Sequence, residues 1–251
     1  MSGVTGLNCV TGWPALIVVT GTDTGVGKTV VTAALAAALT ATGARVAAYK
    51  PAQTGIRHDG FDDEGNPADM PIVAELAGVP THEGCRLVEP MAPRQAAAVE
   101  GARLPTLADH VAAVEGLAAR HDHVLIEGAG GLLVELTDAG ETVADLAAAL
   151  LPPADTPPAD QRVGVVVVAR SALGTLNHTS LTLDWLAARR FPVLGIVLGS
   201  VGEHPSRLEA LNHEHLNTLG PGVIGQVPHG APTMTAQAFA AAAPGWFTTT
   251  A

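Results

Sequence analysis

Lysine and arginine are few: 13 in 251 residues, against 24 aspartates and glutamates, for a formal charge of -11. A surface that tracks nucleic-acid phosphates needs clustered cations, and these are spread along the chain, so no nucleic-acid partner is expected. Cysteine is nearly absent. Cys9 and Cys85 lie far apart with no CxxC pair, which leaves neither a disulfide framework nor a zinc site. No apolar run approaches a membrane span, and residues 1 to 15 lack the basic start and long apolar centre of a secretion signal, so a soluble, cytoplasmic protein without membrane partners is expected. Aromatics make up only 3% beside abundant alanine, a bias that carries no functional weight but permits close packing of helix on sheet. There is no Gly-x-Ser-x-Gly elbow and no Gly-x-Gly-x-x-Gly dinucleotide turn. The histidine pairs 121/123 and 213/215 are spaced by two, a poor spacing for shared metal ligation, and read as surface residues.

What the chain does have is an apolar run, 16 to 20, that breaks into Gly21-Thr22-Asp23-Thr24-Gly25-Val26-Gly27-Lys28-Thr29 and continues into an alanine-rich segment with Val31, Leu35 and Leu39 at helical spacing. Strand, glycine-rich loop and helix in that order aim backbone N–H groups and the positive helix end at one anion. Lys28 adds a point charge, and Thr29 offers a hydroxyl to a magnesium ion carried by nucleotide phosphates. The loop is a variant P-loop, because the early glycine stands at Gly21 and Thr22 follows it.

Further on, a second strand over 45 to 49 delivers Lys50 at its carboxyl end, with Pro51 fixing a turn. In open α/β sheets that end is where ligands bind. The polar stretch 56 to 71 carries Asp59, Asp62, Asp63, Glu64 and Asp69; any of them could reach a magnesium ion, and the pattern alone does not select one. A helix over 107 to 119 should bury Leu107, Val111, Val114 and Leu117 and turn its acids and histidine to solvent. Glu127 ends a buried strand before Gly128-Ala129-Gly130-Gly131, where a P-loop fold needs a magnesium ligand. Buried strands recur over 163 to 169, 192 to 198 and 223 to 227, alternating with helices. The expected architecture is a P-loop NTPase-type parallel sheet with helices on both faces, a three-layer α/β sandwich. It should be one domain over 16 to 245 behind a loose leader, 1 to 15, with a proline-rich loop at 152 to 161.

The P-loop segment, Lys50-Pro51-Ala52-Gln53-Thr54-Gly55, Pro90-Met91-Ala92-Pro93, Glu127 to Gly131 and Gly174-Thr175-Leu176-Asn177-His178 occur in the order found in the dethiobiotin synthetase family. Over 16 to 240 the chain resembles that family, its actinobacterial members most nearly. The resemblance implies a cyclo-ligase that converts 7,8-diaminononanoate, carbon dioxide or bicarbonate, and ATP or another nucleoside triphosphate into dethiobiotin, diphosphate and phosphate. Magnesium would be required, the route would run through a carbamate and a carbamic–phosphoric anhydride, and the active site would lie at a homodimer interface. Lys28 then matches the phosphate lysine, Lys50 the catalytic lysine between carbamate and γ-phosphate, and Thr54 a carbamate contact. Thr29, Glu127 and a loop acid match metal ligands; Asp69 fits the family segment best, with Asp63 next. Nucleotide contacts are implied along Thr24, Gly25, Val26, Gly27, Lys28, Thr29 and Val30, at Glu127, Gly128, Ala129 and Gly130, and at Gly199, Ser200, Pro228 and His229. Pro90, Met91, Ala92, Pro93 and Gly130 would shape the diamine pocket, while Leu176 and Asn177 would reach the substrate carboxylate across the dimer.

Gly25 stands where many members carry glutamate, and Gly199 where many carry an asparagine that reads adenine. A site without that hydrogen bond loses one reason to reject other bases. A nucleotide-switched partitioning ATPase shares the expected fold but carries an early P-loop lysine where Thr22 stands. A cobyrinic acid diamide synthase would need a glutaminase domain as well. A regulatory domain that had lost the chemistry would not be expected to keep Lys28, Thr29, Lys50 and Glu127 together.

Overall fold

The computed structural model describes residues 10, 12 to 152 and 161 to 248; most of the leader and of the proline-rich loop lie outside them. Among the described residues seven strands form one sheet: β1 (Leu16–Gly21), β2 (Val46–Gln53), β3 (Thr81–Arg86), β4 (His123–Gly131), β5 (Val163–Ala169), β6 (Val193–Val201) and β7 (Val223–Pro228). All neighbours pair in parallel, in the order β3-β2-β4-β1-β5-β6-β7. The P-loop strand is therefore central, flanked by the strand that carries Glu127 and by the one that ends at Ala169.

Eight helices follow the strands: α1 (Lys28–Ala41), α2 (Asp69–Ala77), α3 (Pro93–Glu100), α4 (Leu107–Ala118), α5 (Val143–Leu150), α6 (Thr175–Ala188), α7 (Arg207–Leu216) and α8 (Ala236–Ala242), counted among the described residues. Alternate residues of β1 point to opposite faces, as a strand requires. Ile17 and Val19 join a core built with α1, α2 and α8, while Leu16 and Val18 join a second core built with α4, α5 and α6. The result is the three-layer α/β sandwich. Ala33, Ala34, Ala36 and Ala37 of α1 are all buried, so the small side chains do let this helix lie close against its neighbours.

Several elements depart from the sequence expectation. β4 does not end at Glu127 but runs on through the glycines to Gly131. The second strand does not stop at Tyr49 but runs on through Lys50 and Pro51 to Gln53. Pro51 is tolerated there because pairing with β4 ends at Tyr49, so no ladder donor is demanded of it on that side. The edge strand β3, Thr-His-Glu-Gly-Cys-Arg, alternates between half-buried and exposed and has no apolar run to announce it. On α4 the buried positions are His110, Val114 and Leu117, so His110 faces inward where solvent was expected. The histidines at 121 and 123 are half-buried, each bonded through Nδ1 to a backbone carbonyl, Leu117 and Pro14 respectively.

Candidate active site

The loop after β1 is held open by its glycines. Gly25 and Gly27 adopt φ of +70° and +94°, a region that costs an L-residue its Cβ contacts. Gly27 is also the N-cap of α1 and supplies no side-chain cap, which leaves first-turn N–H groups free for an anion. Lys28 is buried along its stem and donates from Nζ to the Asp23 carbonyl oxygen at 3.0 Å. Burial pushes its ammonium pKa down; Glu127 pulls it back up, while Lys50 adds to the depression. Asp23 is itself fixed at both oxygens, by the Thr24 N–H at 2.8 Å and by Arg170 Nη2 at 2.6 Å.

Next to the loop, β2 and β4 set two opposite charges side by side. Tyr49 pairs with Ile126, and one residue further along each strand Lys50 Nζ lies 2.9 Å from Glu127 Oε1. Asp69, at the first turn of α2, completes the cluster with Oδ2 at 2.5 Å from the same ammonium. Burial alone would lower the Lys50 pKa, but the charges of Glu127 and then Asp69, with their hydrogen bonds, outweigh it and hold the pKa above its ordinary value. Asp69 shows the mirror effect. Burial works to raise its pKa, and Lys50 above all, helped by the Thr29 hydroxyl, holds it below the usual range.

Thr29 Oγ1 lies within donating distance of Asp69 Oδ1 at 2.8 Å and of Glu127 Oε1 at 3.1 Å. Glu127 is fully buried, yet its Oε2 has no hydrogen-bond partner among the described residues. Buried carboxylate oxygens rarely go unmatched, so this one calls for a ligand. Two carboxylates and a hydroxyl make a hard-oxygen set that fits magnesium, an ion that keeps several waters and is bound through one or two carboxylates plus substrate phosphates. Gln53 fixes the arrangement from behind, accepting the Asp69 N–H on Oε1 at 3.1 Å.

These groups line one side of a cavity of about 630 Å³. Thr24, Gly25, Gly27, Lys28, Thr29 and Val30 line it from the phosphate loop and the start of α1, Lys50, Thr54, Asp69 and Glu127 add polar and charged groups, and Pro90, Met91, Ala92 and Pro93 with Ala129, Gly130 and Val134 complete the lining. Gln53 and Val134 were not singled out from sequence. Neither carries a local signal: the expected second strand ends at Tyr49, and Gln53 enters the site only because β2 runs on past Pro51. Other expected residues lie outside this cavity. Val26 is buried beneath the loop in the sheet core, and Gly128 faces Val143. Gly199, Ser200, Pro228 and His229 sit at the carboxyl ends of β6 and β7, where Ser200 Oγ and His229 Nδ1 are 2.9 Å apart. Leu176 and Asn177 occupy the first turn of α6, Leu176 half-buried and Asn177 exposed. Asp63 stays at the surface, 91% exposed and paired with Arg57.

A family model described as an AAA domain matches residues 16–237. The ATP-dependent dethiobiotin synthetase BioD of Rhodococcus jostii (strain RHA1) is 45% identical over 94% of this chain and 96% of its own. That of Mycobacterium avium (strain 104) is 44% identical over 92% of this chain and 95% of its own. Among solved structures, the septum site-determining protein MinD complexed with Mg-ADP from Pyrococcus horikoshii OT3 aligns at a TM-score of 0.52 and 16% identity, covering 89% of this chain and 88% of that one. At that identity it speaks for the P-loop fold alone.

Proposed function

The chain belongs to the dethiobiotin synthetase family, and from that premise we propose that it is a magnesium-dependent cyclo-ligase closing the ureido ring of dethiobiotin from 7,8-diaminononanoate, carbon dioxide and a nucleoside triphosphate. The observation that carries this reading is the buried Lys50 ammonium, clamped by Glu127 and Asp69 and facing a cavity whose floor is a P-loop.

In the proposed reaction a neutral amine of the substrate attacks carbon dioxide, giving a carbamate and a proton lost to solvent. A carbamate oxygen attacks the γ-phosphorus, the nucleoside diphosphate leaves, and a carbamic–phosphoric anhydride results. The second amine then attacks the carbonyl carbon, loses a proton to solvent or to the departing phosphate and expels that phosphate, closing the ring. The first step creates negative charge on the carbamate oxygens and the later ones shift it onto departing phosphate oxygens, so positioning and fixed positive charge are what the protein must supply.

Lys50 suits that role because its raised pKa keeps it charged at neutral pH; it acts as a cation between carbamate and γ-phosphate, not as a base. Lys28 and the N–H groups at the start of α1 hold the β- and γ-phosphates. Thr54, on the wall beside Lys50, offers its hydroxyl to the carbamate. The apolar end at Pro90 to Pro93, with Gly130, accommodates the substrate's hydrocarbon chain and keeps water from the anhydride. A magnesium ion held by Thr29, Asp69 and Glu127 would neutralise phosphate charge when the nucleotide is bound. We assign Leu176 and Asn177 to the substrate carboxylate of a second copy in a homodimer, since both lie outside the cavity of their own chain. Nucleotide contacts at Gly199, Ser200, Pro228 and His229 belong to the same reading.

The deciding experiment is transfer of label from radioactive bicarbonate into acid-stable product, with magnesium, diamine and each of four nucleoside triphosphates in turn. Label that needs both diamine and nucleotide supports ring closure and reports base preference. Nucleotide hydrolysis without diamine and without label would instead favour a switch ATPase.

A further inference from the structure

We propose that Arg170 is a positioning residue for the phosphate loop: it neutralises the one carboxylate in that loop, holds it on the β5 side and so sets the place of the Lys28 ammonium. This rests on the reading of residues 21 to 29 as a nucleotide site. An aspartate in a loop that must receive a polyphosphate carries the wrong charge, because like charges close together repel. Asp23 is the only acid between Gly21 and Thr29, and Arg170 Nη2 donates to its Oδ2 at 2.6 Å. The other oxygen, Oδ1, accepts the Thr24 N–H at 2.8 Å, so the carboxylate is engaged at both oxygens, and Asp23 is not among the residues that line the cavity. On the same residue the main-chain carbonyl accepts from Lys28 Nζ at 3.0 Å. Holding the Asp23 side chain therefore holds the carbonyl that locates the lysine.

Arg170 works from a fixed base. It directly follows Ala169, the buried end of β5. The next residue, Ser171, is buried and donates from Oγ to Glu209 Oε1 at 2.7 Å, while Asn212, also buried, donates from Nδ2 to the Ser171 and Ala172 carbonyls at 2.8 and 3.3 Å. Thus α7 clamps the turn after β5, and that turn carries the guanidinium. β5 meets the loop a second time through the Val168 carbonyl, which accepts the Thr22 N–H at 3.0 Å. The loop needs such bracing, because its apex at Thr24 and Gly25 is exposed and its left-handed glycines leave the backbone free to move. With side chains 38% and 48% exposed, the Arg170–Asp23 pair adds little to global stability. What it changes is the share of molecules whose loop is ready for phosphate, and apparent affinity falls in proportion to that share.

Calorimetry on the full-length protein with the magnesium complexes of ATP and of inorganic tripolyphosphate, in about 0.15 M salt to screen distant charge, tests this. Arg170→Ala should weaken both ligands alike, by about three- to fivefold, with the thermal midpoint of the unliganded protein little changed. Arg170→Lys, whose ammonium still meets the carboxylate, should recover most of the loss. In an Asp23→Ala background the Arg170→Ala change should cost nothing further, because no carboxylate is left to hold. An equal loss in both backgrounds would overturn the proposal, since Arg170 would then act on the phosphates directly. Unchanged binding in Arg170→Ala overturns it as well. If the wild type binds neither ligand, it is the nucleotide reading itself that fails, and the proposal falls with it.

Discussion

Lys50 Nζ and Glu127 Oε1, from residues 77 apart in the chain, meet at 2.9 Å with both side chains almost wholly excluded from solvent. Taking both charges out of water is costly, and the pair offsets that cost only while it is intact. Asp69 gives the ammonium a second partner, and the orphaned Glu127 Oε2 leaves the cluster able to accept another cation. The geometry is that of a charged group held ready beside the phosphate loop, and it makes Lys50 the first residue to change.

Lys50→Ala should lose turnover by about 100-fold or more, the scale set by removing one fixed charge or donor from a transition state. The variant should also lose about 3–5 kcal/mol of stability, because Glu127 is left buried without its partner. Lys50→Arg keeps the charge but not the compact ammonium, so it should recover stability better than rate. Steady-state kinetics beside urea unfolding separates the two effects. Near wild-type turnover in Lys50→Ala would remove Lys50 from the mechanism.

Magnesium dependence should run through Asp69 and its support. Chelation should abolish turnover and added magnesium restore it. Asp69→Asn and Gln53→Leu should both raise the magnesium concentration needed for half-maximal rate, Gln53→Leu by about 10-fold or more as an outer-shell change. Asp63→Asn should leave that curve unmoved, because Asp63 is exposed and held by Arg57. A magnesium titration of each variant gives the answer, and a normal curve for Asp69→Asn would exclude that residue as a ligand.

Local pattern exposed much of this site and for a physical reason. A strand, a glycine loop and a helix are contiguous, so Gly21 to Thr29 announces itself, and Glu127 ends a run of buried apolar residues. What joins Lys50 to Glu127 is the pairing of Tyr49 with Ile126. Register between strands so distant in sequence is written in no local periodicity. The same holds for Gln53, which matters only because β2 extends past Pro51 to reach the Asp69 N–H. His110 carries no such signal, because Leu107, Val111, Val114 and Leu117 already make a complete apolar stripe and all four pack on the core; what draws the flanking imidazole inward is the Tyr49 hydroxyl, on another element.

Arg94 and Glu135 tie the two apolar walls of the cavity together. Arg94 follows Pro93 at the start of α3, Glu135 follows Val134, and their side chains meet at 2.9 Å. Both are close to half exposed, so the pair contributes at most about 1 kcal/mol, a factor of about five. Arg94→Ala and Glu135→Ala should raise KM for the diamine by up to about fivefold while leaving KM for the nucleotide unchanged. The exchanged pair, Arg94→Glu with Glu135→Arg, should restore it. Equal shifts in both KM values would mean that the pair supports the whole site and not the diamine end.

His110 predicts an acid-side loss of stability. It is 1% exposed, its Nδ1 shares a hydrogen bond of 2.7 Å with the Tyr49 hydroxyl, and its Nε2 has no partner among the described residues. Burial pushes the imidazole pKa below its ordinary value, and the carboxylates of Asp109 and Glu141 offset this only in part. Between the folded pKa and the unfolded value of about 6.5, the unfolded chain binds more protons, so folding stability rises with pH in that window. The contribution is therefore complete above pH of about 6.5 and declines as pH falls toward the folded pKa. Urea midpoints of the wild type should drop over that range, while His110→Gln, which cannot take up the proton, should show a flatter profile. Parallel profiles would assign the acid sensitivity to other groups and leave His110 a neutral core residue throughout.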